Sequence, residues 1–98
     1  MENELLNKIV KILDEKKAID VKTIDIKEKS SLADYMVVAS GTSTTHIKAL
    51  ADNVEEELEK ENIHPHKIEG YNSNSWILMD YLDVIVNIFT EADREHYK

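Results

Sequence analysis

Apolar residues recur at helical spacing near the start of the chain. Leu5, Leu6, Ile9, Val10, Ile12 and Leu13 fall on one stripe of an otherwise polar segment. This predicts an amphipathic packing helix over residues 4–17, with Asn3 as a candidate N-cap. The period then shortens. Between Asp20 and Ile26, Ile24 and Ile26 share one face and Val21 and Thr23 the other, as in a strand. Lys27 to Leu32 is a charged turn. The block that follows, Tyr35-Met36-Val37-Val38-Ala39, neither alternates nor is long enough for a helix. It predicts a central strand, Asp34 to Ser40, covered on both faces. Ser40-Gly41-Thr42-Ser43 breaks that run and supplies helix-cap residues. A second stripe, Ile47, Leu50, Ala51, Val54 and Leu58, predicts a helix from about Thr44 to Asn62.

After a stop at Asn62 to Pro65, Lys67 to Glu69 reads as a short strand and Gly70 to Asn74 as a turn. Ser75 to Tyr81 and Val84 to Phe89 form a hairpin about Leu82-Asp83. On its first strand Trp76, Leu78 and Asp80 project one way, and Ile77, Met79 and Tyr81 the other. Glu91 to Lys98 opens a last helix. The order is α-β-β-α-β-β-β-α. It predicts a single α/β (α+β) domain over residues 1–98, with a mixed sheet of about five strands and helices packed on it. The connection through the second helix is long enough to return the next strand parallel, by a right-handed crossover.

Composition narrows the function classes. With 98 residues, of which 42% are apolar, the chain can form one core. It has no cysteine, which fits a reducing compartment. Met-Glu-Asn-Glu does not open like a signal peptide, and no apolar run approaches the roughly 18 residues of a membrane span, so a cytoplasmic protein without membrane contact is expected. The formal net charge of −8 opposes binding to bare phosphate backbones. Direct nucleic-acid binding is therefore not expected as the main contact. A basic protein within a ribonucleoprotein would suit such a chain, and the charge would speed the encounter.

The candidate chemistry is sparse. Gly41, Thr42 and Ser43 sit at a strand-to-helix junction, where backbone amides can hold an anion. The stretch lacks the glycines of a dinucleotide fingerprint and the lysine of a P-loop, so a capped turn is the simpler reading. Asp80 and Asp83 flank the hairpin turn, but no Asp-x-Asp pair occurs. His46, His64 and His66 have no further partners at ligand spacing. No nucleophile–base arrangement can be assembled, and neither a catalytic residue nor a metal or other cofactor is expected. The acidic run Glu55, Glu56, Glu57, Glu59 and Glu61 reads as a solvated helix face, with docking of a basic partner as the alternative. Trp76, the single tryptophan, is compatible with the core or with an exposed interface, where tryptophan is the most enriched anchor.

An ordered set of residues resembles a known family. Ala33-Asp34-Tyr35, Ser40-Gly41-Thr42-Ser43, His46, Ala51-Asp52, Glu69-Gly70, Trp76, Asp80, Asp83-Val84-Ile85-Val86, Arg94 and Tyr97 are similar to the pattern of the ribosomal silencing factor (Iojap-like) family. The match runs from about Asp20 to Tyr97. The resemblance implies a fold similar to nucleotidyltransferases but no enzymatic activity. It also implies binding to ribosomal protein fourteen of the large subunit, occlusion of the surface where the small subunit joins, and lower translation when nutrients are scarce.

Two hypotheses follow. The first is a binding module that acts by steric exclusion, with Trp76 as the apolar anchor, Leu78 and Asp80 beside it, and Tyr81 and Arg94 at the rim. Self-association through a sheet edge or the hairpin stays open within it. The alternative is a nucleotidyl- or phosphoryl-transferase with Gly41-Thr42-Ser43 as phosphate loop and Asp80 and Asp83 as metal ligands.

Overall fold

A computed structural model describes residues 4–29, 31, 33–73 and 75–94. The chain runs α1 (Glu4–Glu15), β1 (Ile19–Asp25), β2 (Tyr35–Gly41), α2 (Thr44–Glu59), β3 (Lys67–Glu69), β4 (Trp76–Asp80), β5 (Val84–Thr90) and α3 (Glu91–Arg94). These are the predicted elements in the predicted order. The candidate cap Asn3 and the expected continuation of the last helix through 95–98 lie outside the described residues.

Both long helices stop two or three residues earlier than their stripes suggest, and for one reason. The Lys17 amide donates to the Asp14 carbonyl and the Ala18 amide to that of Leu13, at 3.1 and 2.9 Å. At the end of α2 the Asn62 amide donates to Glu59 and the Ile63 amide to Leu58, at 2.9 and 3.0 Å. Each pair is a Schellman closure, and each places one residue in the left-handed region, Lys17 at φ 69° and Asn62 at φ 63°. The start of α2 is set by Ser43, whose hydroxyl accepts from the His46 amide at 3.1 Å.

The five strands form one mixed sheet in the order β1-β2-β5-β4-β3. β2 and β5 pair in parallel, and the other neighbours are antiparallel. The expected central position of β2 is thus corrected: β5 is the middle strand, with β2 beside it. The expectation that β2 is covered on both faces is corrected as well. Its Val37 and Ala39 are buried against the helices, while Met36 and Val38 on the other face are only partly buried. The reason is the layering, since α1 and α2 both lie on the same side of the sheet.

That side holds the core. Val37, Ala39, Ile77, Met79, Val84, Val86 and Ile88 of the sheet meet Leu6, Ile9 and Leu13 of α1 and Ile47, Leu50, Ala51, Val54 and Leu58 of α2. Each fully buried Leu, Ile or Val contributes about 1.5–3 kcal/mol relative to exposure. Gly41 lets α2 seat closely on β2, because a β-carbon there would stand 2.8 Å from Ile47 Cγ2. His46 ties the same corner to α1. Its Nδ1 accepts from the Thr42 amide at 2.9 Å, and its Nε2 lies 3.2 Å from the Lys16 carbonyl.

Candidate functional site

The face of the sheet turned away from α1 and α2 carries the candidate site. Strand register arranges its side chains in rows. One row is Lys22, Val38, Asn87, Leu78 and Glu69; the next is Ile24, Met36, Ile85, Asp80 and Lys67. Ser40, Phe89 and Trp76 form the third. The middle of the face is therefore mostly apolar, with Asn87 and Ser40 as its polar members, and its charges stand on the edge strands β1 and β3 and, at Asp80, on β4. A groove of about 450 Å³ opens there, lined by Ile24, Met36, Val38, Trp76, Asn87 and Phe89. Ile24 is 44% exposed, so this wall of the groove faces water in the isolated chain.

Trp76 is positioned by the turn before it. Gly70, at φ +77°, leaves room for the indole, since a β-carbon there would fall 2.4 Å from Trp76 Cε3. The Ser73 amide donates to the Gly70 carbonyl at 2.9 Å. The Ser73 hydroxyl then donates to the Trp76 carbonyl at 2.7 Å and accepts from the Trp76 amide at 3.1 Å. Tyr71 pins this turn to α2, its hydroxyl within 3.1 Å of both carboxylate oxygens of Asp52. That hydrogen bond, reinforced by desolvation, holds the Tyr71 phenol above its ordinary pKa. The ring of Tyr71 also lies under Lys48, with the ammonium 5.3 Å from its centroid.

The rim is ionic. Lys67 and Glu69 pair at 3.0 Å across the outer side of β3. The hydrogen bond to Glu69 is the main cause that raises the Lys67 pKa. Asp80 accepts from the Leu82 amide through Oδ1 at 2.8 Å. Just past the end of β1 the Lys27 ammonium bonds the Tyr35 hydroxyl at 3.0 Å and lies 3.7 Å from Asp25, both of which belong to the helix-covered side of the sheet.

Of the five residues assigned to a partner contact from the sequence, three come together. Trp76, Leu78 and Asp80 share the outer face of β4, as the alternation predicted. Tyr81 requires a correction. It continues the inward side of the strand and is 5% exposed, so it belongs to the core and not to the rim. Arg94 also turns inward. Its guanidinium donates to the Ser40 hydroxyl at 2.6 Å and to the Asp20 carbonyl at 2.9 Å, with the Asp20 carboxylate at 3.4 Å. It clamps α3 over the ends of β2 and β1 rather than reaching outward. Gly41, Thr42 and Ser43 form a capped turn whose Thr42 amide and Ser43 hydroxyl are both engaged by His46. Among the described residues no three His, Asp or Glu side chains gather as a metal site.

Ile24, Met36, Val38, Asn87 and Phe89 line the groove and were not assigned to a site from the sequence. Each sits on a strand that pattern alone had identified. Asn87 and Phe89 lie opposite Leu78 and Trp76 in the hairpin; what was missing was the pairing of β2 with β5 and of β1 with β2, which adds Met36, Val38 and Ile24.

The fold and this face define a small two-layer α/β domain with one open sheet surface. A family model described as ribosomal silencing factor during starvation matches residues 1–98. The ribosomal silencing factor RsfS of Zymomonas mobilis is 36% identical over 93 residues, covering 95% of this chain and 70% of that protein. The RsfS of Haemophilus influenzae is 34% identical over 94 residues, covering 96% and 92%. A crystal structure of a Chromobacterium violaceum protein superposes with a TM-score of 0.93 at 33% identity, covering 99% of this chain and 82% of that one. The chain belongs to the ribosomal silencing factor family.

Proposed function

We propose that this protein represses translation by docking on the large ribosomal subunit and obstructing its union with the small one. Ribosomal protein fourteen is the contact, the outer sheet face is the docking surface, and the protein works in the cytoplasm under nutrient limitation. The observation that carries this reading is the half-buried Trp76 at the edge of an apolar groove on an otherwise acidic protein. A tryptophan held in place by its own turn, beside Leu78 and Asp80, has the make-up of an interface anchor. Net charge −8 suits a basic ribosomal protein and repels exposed RNA. Steric exclusion needs affinity and no turnover. A nanomolar to micromolar contact, about 8–12 kcal/mol, is enough to compete with subunit joining.

The test is co-sedimentation with isolated large subunits and with assembled ribosomes. The protein is expected on free large subunits and not on assembled ones, and Trp76→Ala is expected to weaken the association at least tenfold, about 1.4 kcal/mol or more. Subunits that join at the normal rate and extent with the protein in excess would overturn the proposal.

A further inference from the structure

Asn87 lies at the floor of the groove, on the middle strand of the sheet. Its row neighbours are Val38 and Leu78, and its backbone is held in the ladders to β2 and β4. Only 8% of the residue is exposed. Its side-chain amide nevertheless makes no hydrogen bond to any described residue, and the groove it lines is otherwise apolar, formed by Ile24, Met36, Val38, Trp76 and Phe89. Its polar atoms are not among the fully buried, unpartnered ones of the described residues, so the amide still meets solvent through the groove; sealing it there without a partner would cost free energy. In the isolated chain water entering the groove can serve the amide. Once an apolar group fills the groove that water leaves, and the amide must be met by the same occupant.

We propose that Asn87 is the polar anchor of the groove, and that it pairs with an exposed peptide group of a basic partner protein beside an apolar side chain that fills the groove. This rests on the docking face proposed above and specifies what that face receives. The Asn87 Nδ2 group donates to a partner carbonyl, and Oδ1 accepts from a partner amide; Asn and Gln side chains could answer both, but the main chain offers a C=O and an N–H at every exposed residue except proline. The partner's contact is therefore a turn, a strand edge or a helix end. Inside a helix the backbone groups are already paired with one another. The occupant is a basic protein and not a second copy of this chain, because two copies would each bring a net charge of −8 to the same contact.

Three measurements decide it. Asn87→Leu keeps the size of the side chain and is expected to melt no lower than the parent. It is expected to bind isolated large subunits about tenfold to a hundredfold more weakly, because the partner's peptide group is then buried unpaired. In the parent protein, millimolar N-acetyl-leucinamide, an apolar side chain between two amides, is expected to shift the Asn87 side-chain amide resonances. Sedimentation equilibrium is expected to give the same oligomeric state for parent and variant. If Trp76→Ala weakens binding and Asn87→Leu does not, this inference falls and the docking proposal stands. If the parent does not bind large subunits, the docking proposal falls, and unmoved Asn87 resonances in the N-acetyl-leucinamide titration then sink this inference too. An Asn87-dependent dimer would assign the groove to a second copy and overturn the choice of occupant.

Discussion

The indole of Trp76 rests directly on the backbone of Gly70. A β-carbon at Gly70 would approach Trp76 Cε3 to 2.4 Å, Cζ3 to 2.6 Å and the Trp76 carbonyl oxygen to 2.6 Å. The glycine also holds φ at +77°. Two penalties therefore meet in Gly70→Ala. The left-handed backbone costs an alanine about 1–2 kcal/mol, and the methyl group and the ring cannot both stay where they are. The variant is expected to unfold at lower urea concentration by about that amount. Trp76 is the single tryptophan, so its fluorescence reports the ring alone, and a changed emission maximum is expected. An unchanged spectrum with unchanged stability would show that the ring does not depend on this seat.

Tyr81 gives a prediction about alkaline pH. Burial, and next the negative charge of Glu55, push its phenol above the ordinary value of 10.0. Its hydroxyl is buried and has no hydrogen-bond partner among the described residues. Below pH 10 the phenol is protonated in folded and unfolded chains alike, so its contribution is fully present. As the pH rises further the unfolded chain ionises before the folded one, and stability falls. Tyr81→Phe removes this ionisation. The variant is expected to match the parent or exceed it by about 1 kcal/mol at neutral pH, and to lose less stability above pH 10. Tyr71 is also raised, but it is present in both proteins, so the difference between their stability–pH curves isolates Tyr81. Parallel curves through that range would contradict the buried, unpartnered hydroxyl.

The elements were legible in the sequence because each is announced by local chemistry. The stripes of α1 and α2, the Ser43 cap and the β4 alternation depend on near neighbours, and each appears where periodicity placed it. Helix ends were less legible, since the left-handed positions fall on Lys17 and Asn62 rather than on glycine. The hairpin turn has the same character. Leu82 stands at φ 73°, supported by the bond from its amide to Asp80. The site was half legible. Trp76, Leu78 and Asp80 share a strand, so alternation was enough to group them. Asn87 joins them across the hairpin, opposite Leu78, but Met36 and Val38 join only through the pairing of β2 with β5, which are separated by α2, β3 and β4. No short-range pattern encodes that register. Tyr81 was assigned to the rim although strand parity already set it with Ile77 and Met79, on the side that forms the core.

Arg94 shows the same long-range dependence. It is separated from Ser40 by 54 positions and from Asp20 by 74, yet it joins both. Asp20 is at φ 54°, within the register shift of β1, and its carbonyl accepts from the guanidinium. The Arg94 side chain is 14% exposed and the Asp20 side chain 57%, so the carboxylate is largely in water and adds little. The hydrogen bonds to the Asp20 carbonyl and the Ser40 hydroxyl are then the principal ties, since hydrogen bonds to a charged group contribute about 1.5–3 kcal/mol. Arg94→Met is expected to lower stability by about 1–3 kcal/mol and to speed amide exchange in α3, while Asp20→Asn is expected to cost less than about 1 kcal/mol. Because the guanidinium faces inward, folded Arg94→Met is expected to bind large subunits with the parent's affinity. A loss of binding without loss of stability would return Arg94 to the rim of the interface, and an equal stability loss in Asp20→Asn would make the ion pair the true clamp.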